Sequence, residues 1–121
     1  LTLMHATPTN NLVYVTEDRT DDFLRKMAAQ AGARAGDVLA FGHTHKPWSR
    51  AVDDILFVNT GSVGRPKDGD PRAAYVVLDF SADAPRATIV RVPYDVMAAK
   101  AALDEGGLPG AFGLVLESGL A

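Results

Sequence analysis

Val38-Leu39-Ala40-Phe41-Gly42-His43-Thr44-His45-Lys46-Pro47 is the stretch on which the fold turns. Four apolar residues in a row, closed at once by a glycine, read as a short strand buried on both faces. Such a strand normally needs a covering layer on each side. Two histidines follow the glycine at a spacing of two. On a strand, residues two apart project to one face, so His43 and His45 are expected to serve one site at its end. Gly42, at the strand exit, is expected to let backbone or a ligand approach closely.

Outward from this strand the elements are mixed. Leu1 to His5 reads as a short strand ending in the third histidine, and Ala6 to Asn11 as a loop with turn chemistry. Thr20 is placed to cap a helix opening with Asp21 and Asp22. Phe23, Leu24, Met27, Ala28 and Ala31 recur at helical spacing, and Gly32 fits its C-terminal cap. Downstream, Ile55 to Val58 is a second apolar strand, running into the glycine-rich segment from Asn59 to Gly64. Ala74 to Phe80 alternates and pairs with Ala87 to Val92 as a hairpin. Asp95 begins a helix to about Glu105. Leu108-Pro109 opens a last helix, weakened by Gly113. The fold class is α/β, in one unit without repeats or linkers.

Composition narrows the function. The chain has 121 residues, 47% hydrophobic and 22% charged, an ordinary globular balance. Its net charge of −3, with no basic run, gives no electrostatic footprint for nucleic acid or an anionic membrane. Absence of cysteine excludes disulfides, thiolate zinc sites and cysteine nucleophiles. No apolar run approaches the roughly 20 residues that cross a bilayer, and no signal peptide is expected. A soluble, cytoplasmic protein is the expectation. The chain opens on Leu1-Thr2-Leu3-Met4, which reads as strand interior, so a piece of a longer protein is expected.

All three histidines, His5, His43 and His45, stand where a strand reading ends. Neutral imidazole is the commonest metal ligand, and three of them with an open position could activate water without a carboxylate. A cupin-like site would place a glutamate four or five positions after the second histidine, where Ser49 and Arg50 stand. The Asn59 to Gly64 segment matches neither dinucleotide fingerprint nor P-loop and reads first as a tight turn. Arg65, Lys67 and Arg72 could hold phosphate oxygens, or pair with Asp68 and Asp70 in a surface loop. Trp48 is expected to pack, and Ser62 has no histidine base in its own motif.

Together the motifs carry a resemblance. Gly42-His43-Thr44-His45-Lys46-Pro47 followed by Asn59-Thr60-Gly61-Ser62-Val63-Gly64, with His5-Ala6-Thr7-Pro8 ahead, resembles the calcineurin-like metallophosphoesterases. The stretch from Arg65 to Tyr75 is similar to a bacterial phosphodiesterase-like branch of that family. The resemblance implies part of a two-sheet α/β sandwich flanked by helices, with metal ligands on loops at strand ends. It implies divalent-metal-dependent hydrolysis of phosphoesters, phosphodiesters first, by the complete protein. Two ions drawn from Mn, Fe, Ni or Zn would bind, one at His5 and His43 and the other at His45. Asn59 and its loop would buttress the site, and Arg65 and Arg72 are candidates for binding a small phosphoester or nucleotide-like substrate.

Ahead of the histidine motif matched by His5, family members carry Asp-x-His, Gly-Asp and Gly-Asn-His-Asp or Glu motifs, and none of these precedes His5 here. The resemblance therefore implies that residues 1–121 are the C-terminal half of one domain. An upstream half would supply the bridging aspartate, the remaining ligands and the general acid. No catalytic residue beyond the metal ligands is then expected in this segment. A half-domain is not expected to supply fully the layers that the strand from Val38 to Phe41 needs, so association with that upstream half, or with further copies, is expected. A rival from another class is a non-catalytic metal-binding or interaction module, from a truncated or degenerate relative.

Overall fold

The computed structural model describes residues 1–120. Its elements in chain order are β1 (Thr2–Leu3), α1 (Asp21–Ala31), β2 (Val38–Phe41), β3 (Trp48–Val52), β4 (Ile55–Asn59), β5 (Ala73–Asp79), β6 (Arg86–Val92), α2 (Val96–Glu105) and α3 (Ala111–Ser118). One sheet has the order β1-β2-β4-β3 and the other pairs β5 with β6. β1, β2 and β4 run parallel, so their C-terminal ends meet on one side of the sheet. β3 returns antiparallel to β4 through Asp53 and Asp54, both at positive φ (50° and 59°), the backbone of a two-residue hairpin turn.

The apolar run at the centre is buried at every position, and its alternation divides two cores. Leu39 and Phe41 pack with Leu24, Met27 and Ala28 of α1 and with Phe57. Val38 and Ala40 face the other way with Val58, against Val76 and Leu78 of β5 and Ala87 of β6. Both covering layers therefore come from this chain, contrary to the expectation that a half-domain would not supply them fully. α1 forms as its caps foretell: Thr20 Oγ1 accepts from the Phe23 amide at 3.2 Å, and Gly32 ends the helix in the left-handed region.

Three details depart from the sequence reading. β1 is shorter than Leu1 to His5; the Met4 amide still donates to Ala40 at 3.0 Å, but His5 leaves the sheet. β3 had no place in that reading. Its inward positions are Trp48, Arg50 and Val52, and the arginine breaks the apolar alternation. Arg50 keeps its stem inward while its guanidinium reaches out to the carbonyls of Glu17 and Arg19. Gly113, expected to weaken the last helix, leaves the space that the Lys100 stem crosses on its way to Glu117, 2.7 Å from Nζ. Among the described residues, no helix is long and apolar enough to cross a membrane.

Candidate functional site

Because β1, β2 and β4 are parallel neighbours, His5, the loop from Gly42 to Pro47 and the segment after Asn59 gather at one end of the sheet. The Gly42 amide donates to the His5 carbonyl at 3.1 Å, stitching the first two together. Beyond Gly42 the strand has ended. His43 and His45 have φ of 64° and 60°, the left-handed region that residues with a side chain seldom enter. The expectation that they share a strand face therefore fails, because neither is in a strand.

The two imidazoles part company. His43 Nδ1 lies 2.9 Å from His5 Nε2, with the rings edge to face, and Tyr14 covers His43 at 4.4 Å between ring centres. His45 Nδ1 lies 2.7 Å from the Arg65 carbonyl oxygen. A carbonyl only accepts, so Nδ1 of His45 carries the proton and Nε2 keeps its lone pair. The sequence-chosen histidines thus resolve into a pair and a single residue.

Asn59 holds the strained loop from beneath. It is fully buried, and its Nδ2 donates to the Gly42 carbonyl and to Thr44 Oγ1, both at 2.9 Å. Its Oδ1 accepts from the Gly61 amide at 3.0 Å. Gly61, at φ 72°, comes so near Pro47 that a Cβ there would sit 2.9 Å from the proline Cβ. The close approach expected at Gly42 belongs to Gly61 instead; a Cβ on Gly42 would meet only Thr60 Oγ1, at 3.8 Å. The glycine-rich segment braces the histidine loop.

These residues fit a divalent cation in part. Nitrogens of His5 and His43 converge, and Nε2 of His43 is buried without a hydrogen-bond partner. Imidazole donors suit zinc, iron and nickel. Among the described residues, however, no three His, Asp or Glu side chains come together, so a single three-histidine centre is not assembled. A full coordination shell needs ligands beyond these.

The two arginines expected to bind substrate have other partners. Arg72 grips Asp70, with Nη2 at 2.6 Å from Oδ2, and its hydrogen bonds hold that carboxyl down at about 2. Arg91 pairs with Asp68. The surface-loop alternative thus describes Arg72 with Asp70, whereas the partner of Asp68 is Arg91 of β6 rather than a cation of the loop. Arg65 lays its guanidinium 5.3 Å above the Phe112 ring, with Nε buried and unpartnered. The cations beside the histidine loop are Lys46 and Lys67, which line a cleft of about 320 Å³ with Tyr14, Thr16 and Thr44. The sequence reading assigned no role to Lys46, although the motif contains it, because a lone lysine has no periodic signature. Trp48 packs as expected, its indole donating to the Val15 carbonyl at 3.2 Å.

Residues 2–83 match the calcineurin-like phosphoesterase superfamily domain. Over 43 residues the chain is 49% identical to Phosphodiesterase YfcE of Escherichia coli strain K12, covering 36% of this chain and 23% of that protein. It superposes on a metallophosphoesterase from Sphaerobacter thermophilus with a TM-score of 0.73 at 27% identity, over 98% of this chain and 54% of that one. A protein of Pyrococcus horikoshii OT3 has the same fold, with a TM-score of 0.81 at 17% identity, over 98% of this chain and 46% of that one. The chain therefore spans about half the length of these solved structures and less of the curated relative. The two-sheet α/β architecture with its helices is similar to that of metallophosphoesterases.

Proposed function

The chain belongs to the calcineurin-like phosphoesterase superfamily, and on that premise we propose that the complete protein hydrolyses phosphoesters, phosphodiesters first, with two divalent metal ions. In this reading His5 Nε2 and His43 Nδ1 hold one ion and His45 Nε2 holds the other. The observation that carries it is the division of the imidazoles, two converging within 2.9 Å and the third turned to the Arg65 carbonyl. When bound, the ions supply Lewis acidity that activates water and offsets charge on the phosphoryl oxygens. This chain's own residues fix the ligands and receive the ester.

His5 and His43 share one proton between facing nitrogens, and cation binding displaces it. Tyr14 screens the outer face of His43. Lys46 and Lys67, on the cleft beside them, are suited to a phosphoester's negative charge, and Arg65 or Arg72 would need to leave Phe112 or Asp70 to assist. The missing ligands and general acid come from an upstream segment bearing the Asp-x-His, Gly-Asp and Gly-Asn-His motifs. The substrate class is a small phosphoester or nucleotide-like molecule, and the setting is the cytoplasm.

With two convergent ligands, the 121 residues alone should not turn over an activated phosphodiester in the presence of manganese or nickel. A protein that also carries the upstream motifs should do so, and His43→Ala should abolish it. Metal-dependent turnover by the purified 121-residue chain, or its absence from the longer protein, would overturn this reading. The rival of a non-catalytic metal-binding module requires that second outcome.

A further inference from the structure

The family match ends at residue 83, yet a helix beyond it contacts the loop that holds one of the histidines. We propose that the α2–α3 hairpin, acting through Phe112, Gly119 and Arg65, is a positioning device that fixes the tautomer and orientation of His45. The metal role of His45 rests on the function proposed above; the device itself rests on the metal-free geometry.

Residues 60–72 join β4 to β5 without regular structure, so a carbonyl there is held by individual contacts rather than by a ladder. Two contacts come from α3. At its start, the Phe112 ring lies under the Arg65 guanidinium at 5.3 Å. At its end, the Gly119 carbonyl accepts from the Gly69 amide at 2.8 Å. Gly119 has φ 64°, and a Cβ there would stand 2.7 Å from the Asp70 carbonyl carbon, so only glycine seats the helix end on this turn.

Between the anchors, the loop grips His45 twice. The Arg65 carbonyl takes the Nδ1 proton at 2.7 Å, and the Lys67 amide donates to the His45 carbonyl at 3.2 Å. Pro66, fully buried between them, stiffens the grip. Ser62 completes the brace: its Oγ accepts from the Arg65 amide, and its carbonyl accepts from the Ala74 amide, both at 2.9 Å. An unrestrained neutral histidine prefers its proton on Nε2, the nitrogen that must be bare to bind a cation. The Arg65 carbonyl reverses that preference, as outer partners of metal-ligating histidines do.

Long-range ¹⁵N–¹H spectra of the metal-free chain, with ¹⁵N-labelled histidine, read each tautomer directly. The chain itself and Phe112→Trp, which keeps an aromatic face under Arg65, should show His45 protonated on Nδ1. Phe112→Ala and Gly119→Val should move His45 toward the Nε2–H form, with His5 and His43 unchanged. Amide signals of α1 and β2 report whether each variant is folded, and Phe112→Ala is the milder of the two. Line broadening of His45 by added Mn²⁺ should need at least about tenfold more metal in those variants. His45 protonated on Nε2 in the unaltered chain, or on Nδ1 in both folded variants, would overturn the proposal. A tautomer change without Mn²⁺ broadening in any form would uphold the device and remove His45 from the metal reading.

Discussion

His43 and His45 occupy a backbone region that costs a residue with a side chain of the order of 1–3 kcal/mol, and such positions persist only where surroundings over-determine them. Asn59 is that surrounding. Its side chain makes two donated bonds and one accepted bond to the loop and the next turn, from a position without solvent. Asn59→Ala should lower stability by about 1–3 kcal/mol, seen as a lower urea midpoint at unchanged slope. A change below about 0.5 kcal/mol would mean that the loop holds its shape without Asn59. The histidines were legible in the sequence because residue type alone marks a ligand. Their directions were not legible, because a left-handed turn at a non-glycine residue leaves no periodic trace, and its cause lies across the sheet.

Among the elements, legibility followed the apolar pattern. β2 and β4 were read from unbroken apolar runs, and α1 from its period and caps. β3 escaped because Arg50 sits on its inward face and satisfies its charge at backbone carbonyls outside the core. The loop before β5 contributes to the pH dependence, as do the lowered carboxyls of Asp18, Asp53 and Asp79. Folding lowers the Asp70 carboxyl to about 2 through Arg72, whereas an unfolded aspartate titrates near ~3.9. The folded value lies below the unfolded one, so the stabilisation is complete above about pH 4 and lost as pH falls toward 2. Carbon-detected titration of Asp70 should place its midpoint near 2, and Arg72→Ala should return it toward the ordinary aspartate value. An Asp70 midpoint at that ordinary value in the unaltered chain would show that the pair does not form.

For the whole molecule, burial of β2 on both faces required two layers, and α1 and the β5–β6 sheet are those layers. Of the two edges of the four-stranded sheet, β1 and β3, the one at β1 carries exposed leucines, Leu1 at 58% and Leu3 at 73%. An open edge with exposed leucines favours association. The 121-residue chain should therefore sediment as more than a monomer at tens of micromolar, and Leu3→Lys should restore the monomer. A monomer throughout would place no contact at that edge.

In the proposed function His5 and His43 serve one cation and His45 another. Anomalous diffraction from the complete protein, with metal occupancy refined separately at each position, tests it most directly. His5→Ala and His43→Ala should empty the same position first, while His45→Ala should deplete the other, and phosphodiester turnover should fall sharply in all three. If His43→Ala and His45→Ala emptied one shared position and spared the second, the division of the imidazoles would not be the division of the metals, and the account would be wrong.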